Sequence, residues 1–246
     1  MKTDEIAYPS QLTAAEEQWL HTKPFGTFNR AESQRNLHDV STLLTLILKH
    51  APKAERIIEL GCGPGWLSLI LAQLGYDVRG YDLSPEMIAV AKDRARALSP
   101  GPQFAVHDMD SPLALPAGEH ADVVIIYDAL HHCAEDRPVL TNAYASLRPH
   151  GILILAEPNR AHATDADSLE AVKRFGVTER GLDARTLARE CRAVGFTKTW
   201  RYHASGQSFQ PRHEGFGETI KMLAYPFLAR FIYGNVRTRI WLVAEK

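Results

Sequence analysis

Residues 57–66 read IIELGCGPGW: an apolar strand runs into an acid, Glu59, and glycine then recurs at 61, 63 and 65 with Pro64 among them. A glycine loop after a buried strand commonly meets a nucleotide, whose phosphates take the N–H groups of the loop and of the following helix. Three features argue against a dinucleotide. The GxGxxG fingerprint needs a third glycine where this chain has Trp66. Pro64 removes a backbone donor, and Glu59 would repel phosphate. A cationic ligand reverses these objections. Glycines still admit close approach of the backbone, and a carboxylate just before the loop attracts an ammonium in a partly desolvated cleft.

On either side of this loop, short apolar strands alternate with amphipathic helices. RIIEL (56–60), DVRGYD (77–82), QFAVHD (103–108), DVVIIYD (122–128) and ILILAE (152–157) read as strands. WLSLILAQLG, closed by Gly75, PEMIAVAKDRARAL, RPVLTNAYASLR and ARTLARECRAVG read as helices, with Ser84 as an N-cap and Pro85 at a first helical position. Strands that are apolar throughout and alternate with helices predict an α/β, doubly wound, Rossmann-like, mostly parallel sheet. Ligands in such sheets bind beyond the carboxyl ends of the strands. Glu59, Asp82, Asp108 and Glu157 all stand at those ends. Before the sheet, RAESQRNLHDVSTLLTLILKH is expected to be a helix that packs through Leu37, Val40, Leu44 and Ile47.

With 246 residues and 45% hydrophobic content, one large domain is expected. Its divisions are a helical cap (1–50), a core (54–203), an insertion (204–235) and a last strand (236–246). The net charge of −1 implies no general attraction to nucleic acid, although residues 198–246 hold eight Lys or Arg against three Glu. Cys62, Cys133 and Cys191 have no disulfide or CxxC spacing, which fits a reduced cytoplasmic setting. The start, MKTDEIAYPS, is too polar for a signal peptide, and no apolar run is long enough to span a bilayer, so a soluble protein is expected.

ELGCGPG, GYDLSPEMI, FAVHDMD and LRPHGILILAEP, in this order, resemble the motifs of the class I S-adenosylmethionine (SAM)-dependent methyltransferases. The likeness is close over about 54–157 and looser beyond. It implies a seven-stranded sheet whose last strand, RIWLVAEK, is antiparallel beside TKTWRYH. It also implies SAM as cofactor and S-adenosylhomocysteine as product. Gly61, Gly63 and Gly65 would line the methionine part, with Glu59 near its ammonium. Asp82 would accept from both ribose hydroxyls. Leu83 and Met109 would flank the adenine, and Asp108 would accept from its amine. Tyr127 would contact the sulfonium end.

An alcohol or phenol acceptor must lose a proton, best to a base titrating near working pH, which suits histidine. In YDALHHCAED, His131 is expected as that base, with Asp128 beside it. His132 and Glu157 are placed on the substrate side. No metal is expected, because Asp128, Glu157 and Asn159 match the catechol-type acid set only crudely, and YDAL lacks the [D/N]PP[Y/F] of enzymes that methylate planar amines. Phe25 and Phe28 are expected in a lid. Phe216 and Tyr225 of the aromatic insertion are expected to line a pocket for a partly apolar or anionic small molecule, with at most weak membrane-surface contact. The resulting expectation is a small-molecule methyltransferase, oxygen preferred over nitrogen, with a non-catalytic SAM-binding module as the alternative.

Overall fold

Strand β1, Arg56–Leu60, is buried at every position but its first and pairs in parallel on both sides, with β2 (Asp77–Asp82) and with β4 (Ala121–Tyr127). The computed structural model of the chain describes residues 2–25, 30–116, 118–202 and 239–246. The 204–235 insertion, with Phe216 and Tyr225, lies outside the described residues, as does Phe28. Strand β3 (Gln103–Val106) extends the sheet beyond β2, and β5 (Leu147–Pro158) lies beside β4. Strand β7 (Arg239–Glu245) enters antiparallel between β5 and β6 (Lys198–Tyr202). The order is β3-β2-β1-β4-β5-β7-β6, seven strands with the reversal between β1 and β4, as expected. That reversal is the topological switch point, where the carboxyl ends splay apart and leave a crevice.

The strand sequences explain the two-sided core. β4 is buried at all seven positions, because helices cover both faces of the sheet. Successive side chains point to opposite faces. Ile58, Leu60, Val124 and Ile126 pack with Leu140 of α6 (Asp136–Ser146) and Leu187 of α8 (Ala184–Val194). Ile57, Val123 and Ile125 pack with Leu43 and Ile47 of α3 (Arg30–His50) and Leu67 and Leu71 of α4 (Trp66–Gln73). Ser84 caps α5 (Pro85–Ala95) as expected, accepting a 3.3 Å hydrogen bond from Met87 N–H.

Helix α3 departs from the expected face. Val40 and Ile47 are buried and Leu44 is partly so, but Leu37 is 43% exposed, and Asn36, Asp39, Leu43 and Leu46 turn inward instead. The apolar stripe alone could not show this, because Asp39 is drawn in by polar partners at the carboxyl edge of the sheet. Ahead of α3, the short α1 (Lys2–Ala7) and α2 (Ala14–Thr22) lie over that edge. Thr13 and Glu16 form a reciprocal capping box at the start of α2.

Candidate active site

The carboxyl ends of β1, β2 and β4 open into a cleft of about 430 Å³. Its walls include Glu59, Gly61, Gly63, Asp82, Leu83 and Tyr127, and its roof comes from Lys2, Glu5, Tyr8, Trp19 and Lys23 of the amino-terminal helices and their connections. A second recess of about 550 Å³ lies at the opposite edge of the sheet, around Arg56, Asp77, Asp122 and Arg148. The switch-point rule and the converging polar groups favour the first.

Within the glycine loop the residues divide. Gly63 has φ +51°, and a Cβ there would point into open space, so its backbone is accessible from the cleft. Gly65, expected to line the cofactor, does not reach the cleft. A Cβ there would sit 2.6 Å from the Phe104 ring and 2.8 Å from Ala91, and φ is +73°, so this glycine lets α4 begin tightly against β3 and α5. The buried Trp66 packs edge-on against Tyr127, with ring centroids 5.5 Å apart.

Asp82 joins the loop to the start of α5. Its Oδ2 accepts from Gly63 N–H at 2.8 Å and its Oδ1 from Ser84 N–H at 2.9 Å. Burial raises its pKa, and those two hydrogen bonds oppose the rise. Glu59 is 2% exposed and accepts from the Ser68 hydroxyl. Burial pushes its carboxyl up to about 8 despite that bond. Asp108 forms an ion pair with Lys2, whose ammonium also lies 3.0 Å from Asp110. Met109 packs against the core beside Gly61. At the other end of the cleft the Lys23 ammonium stands 4.4 Å from the Trp19 ring centre and 5.5 Å from that of Trp66, and burial lowers its pKa.

Tyr127 and Asp128 are tied to the last strand. The Tyr127 hydroxyl donates to Asp39 at 2.7 Å, and the Arg239 guanidinium lies 4.6 Å over its ring. Arg239 also reaches Asp39 at 3.0 Å and grips both oxygens of Asp128, at 3.0 and 3.2 Å. Against the cost of enclosure, this guanidinium holds Asp128 well below the usual carboxylate range. The expected His131–Asp128 couple is therefore replaced by an Arg239–Asp128 pair.

His131 instead meets two other carboxylates. Its Nδ1 lies 2.8 Å from Glu157 Oε2 and its Nε2 3.5 Å from Glu179 Oε2. Burial works against the imidazolium, but the two carboxylates prevail and raise His131 to about 10. A group held protonated to that pH is not the free base expected from the sequence. Glu157, expected on the substrate side, is fully buried and accepts from the N–H groups of Ala129, Leu130 and His131, so it fixes the turn after β4. His132 Nδ1 donates to Thr178 O at 2.7 Å, and burial with His131 beside it lowers its pKa to about 4. His162 Nε2 lies 2.6 Å from Glu179. Phe25, expected in the lid, is 67% exposed and does not line the cleft.

Sequence reasoning missed Lys2, Glu5, Lys23, His162 and Glu179. No motif marks them, since they come from α1, from the end of α2, from the 3-10 turn Arg160–Thr164 before α7 (Ala166–Phe175) and from the loop after it. The one available signal is the acidic, polar start MKTDE.

Comparison with known proteins agrees with this geometry. Residues 58–155 match a family model described as a methyltransferase domain. The chain is 35% identical over 104 residues to a ubiquinone biosynthesis O-methyltransferase of Methylobacterium sp. (strain 4-46), covering 42% of this chain and 41% of that protein. It is 33% identical over 117 residues to the protein of the same name from Xanthomonas axonopodis pv. citri (strain 306), covering 47% and 48%. The aligned part thus spans about half the length of these curated relatives. The fold resembles magnesium protoporphyrin IX methyltransferase from Synechocystis PCC 6803, crystallised with SAM, with a TM-score of 0.63 at 17% identity over 100% of this chain and 97% of that one. Among the described residues no helix is long and apolar enough to cross a membrane. Residues 58–155 match the methyltransferase-domain model, and the chain has the fold of the class I SAM-dependent methyltransferases.

Proposed function

We propose that the chain binds SAM in the cleft at the switch point and moves its methyl group to an oxygen of a small-molecule acceptor, releasing S-adenosylhomocysteine. The observation that carries the reading is the polarity of the cleft. Glu59, Asp82 and Asp108 converge around an accessible glycine backbone at one end, and a histidine–carboxylate cluster stands at the other. This set of acceptors suits a ligand with an ammonium, two ribose hydroxyls and an adenine amine, and it disfavours pyrophosphate. Asp82 keeps lone pairs for the ribose beyond its two backbone bonds. Leu83 and Met109 flank the adenine, and Asp108 accepts from its amine. Glu59 faces the ammonium, and Lys23, under Trp19, reaches for the carboxylate. Tyr127 walls the sulfonium end.

Bound SAM supplies an electrophilic methyl group on a leaving group that is already good, so orientation and exclusion of water are the main tasks left to the protein. An acceptor hydroxyl is held against His131, His132 and Glu179, and its proton passes to solvent water at the exposed side of His132 and His162. His131 acts there as a positioning group, anchored by Glu157. The names of the similar curated proteins support oxygen over nitrogen. The acceptor is a partly apolar or anionic small molecule, and the setting is cytoplasmic. The test is incubation of the purified chain with methyl-labelled SAM and matched panels of phenols, catechols and amines. Label should appear in an ether, with equal S-adenosylhomocysteine. Label on nitrogen only, or tight cofactor binding with no transfer to any acceptor, overturns the reading.

A further inference from the structure

We propose that His131, His132 and Glu179, with His162 at their edge, form a binding site for one divalent transition-metal ion at the acceptor end of the cleft. One ligand atom from each of His131, His132 and Glu179 lies within 4.8 Å of the others. Metal–nitrogen and metal–oxygen bonds of about 2.0–2.2 Å put tetrahedral ligand atoms roughly 3.4 Å apart. His131 Nε2 and Glu179 Oε2 already stand at 3.5 Å, and the third ligand closes in by about 1.4 Å at most. Glu179 is also 2.6 Å from His162 Nε2, which brings a third imidazole to the same carboxylate.

The hydrogen bonds behind the cluster fix which nitrogens are available. Glu157 already accepts from three backbone N–H groups, so it is an acceptor toward His131 Nδ1 as well, and that nitrogen keeps its hydrogen while the ion replaces the proton on Nε2. A carbonyl cannot donate, so His132 Nδ1 carries a hydrogen toward Thr178 O, and its lone pair is on Nε2. His162 Nδ1 faces Asp165 at 3.1 Å, which leaves its Nε2 toward Glu179. Three histidines thus have Nδ1 engaged by a carboxylate or carbonyl, the arrangement that orients imidazoles as metal ligands. A network with a purely structural task needs no solvent access, yet the His132 and His162 side chains are 31% and 24% exposed and all four residues line the cleft. That open side leaves a coordination position facing the acceptor.

Imidazoles with one carboxylate suit zinc or iron rather than magnesium or calcium. The site differs from the acid set weighed in the sequence. There Asp128 is taken by Arg239, Glu157 by backbone, and Asn159 caps the following turn through Ala161 N–H. What the ion does rests on the proposed O-methylation: a bound hydroxyl loses its proton at a lower pH. Binding of the ion does not rest on it.

The full chain, stripped with a chelator and dialysed, is titrated with cobalt(II) alone and followed by its visible absorption. One ion per chain should bind. Glu179→Gln and His132→Gln should each weaken it by about 10-fold or more, while His150→Asn, at an exposed histidine outside the cleft, should bind as the parent does. If Glu179→Gln does not fold, His162→Asn is read in its place. No saturable binding, or equal binding by cluster and control variants, overturns the site. Labelled methyl transfer measured on the same samples separates the two proposals. Saturable cobalt without transfer upholds the site and counts against the activity, whereas full transfer by a chain that binds no cobalt does the reverse.

Discussion

Glu59, if it faces the cofactor's ammonium as proposed, is expected to make cofactor affinity depend on pH. Burial pushes its carboxyl to about 8, Asp82 adds to the rise, and Ser68 and Lys23 oppose it. At neutral pH the ligand-free group is therefore mostly protonated. A bound ammonium favours the ionised form, so binding should release a proton and strengthen as pH rises toward 8. Between about pH 6 and about pH 7.5 the ionised fraction grows roughly 24-fold, and partial deprotonation of the ligand's own amine trims the gain to roughly 15-fold, or about 1.6 kcal/mol. Calorimetric titration of SAM in buffers of different ionisation enthalpy reads both the affinity and the proton count. Glu59→Gln should bind more weakly, and its Kd should lose this dependence. Stability moves the other way. The folded pKa lies above the unfolded value of 4.5, so between those values the native state holds a proton that the unfolded chain lacks. Stability of the ligand-free protein should then fall as pH rises, by roughly 3–4 kcal/mol from this group between about pH 4.5 and about pH 7.5. Glu59→Gln should flatten that slope too. An affinity in the parent that stays flat over this range, or a slope that persists in Glu59→Gln, refutes the assignment.

Two other substitutions probe the cofactor end. Asp82→Ala removes the ribose acceptor together with the Gly63 and Ser84 bonds, so it should weaken SAM binding about 5- to 150-fold and also cost roughly 1–3 kcal/mol of stability by urea denaturation; unchanged affinity with a collapsed melting temperature would leave only the structural role. Lys23→Met removes a charge whose burial is costly, so the melting temperature should hold or rise while affinity falls about 10-fold; unchanged affinity would place the cofactor carboxylate elsewhere.

The sheet was legible because its signals are local. β4 reads ADVVIIY, apolar at every position but Asp122 and too short for a helix, and the structure buries all seven residues. SP before EMIAV announces a capped helix, and Ser84 makes the cap. The positions of two acids proposed to meet the cofactor were legible for the same reason. Glu59 and Asp82 end β1 and β2 or nearly so, and strand direction alone carries them to the switch point. Where a residue's orientation depends on distant partners, the pattern gave less. Leu37 fits the apolar stripe of α3 but is exposed, because Asp39 turns inward to Tyr127 and Arg239, residues 88 positions away in one case.

The acceptor end shows the same division most sharply. His131 and His132 follow β4, so the sequence could place two imidazoles near the cleft but not the charges around them. Those charges come from Glu157 at the end of β5 and from Glu179 in a loop without strand or helix periodicity. An imidazole alone after β4 would titrate near neutrality and serve as a base. With one carboxylate on each nitrogen it is held protonated or becomes a cation ligand, so the expected base changes role without moving. Asp128 changes in the same way, since Arg239 reaches it only because β7 inserts antiparallel and starts at the carboxyl edge of the sheet. The strand ends therefore determine which groups meet, and the long-range carboxylate and guanidinium contacts determine what each group can do.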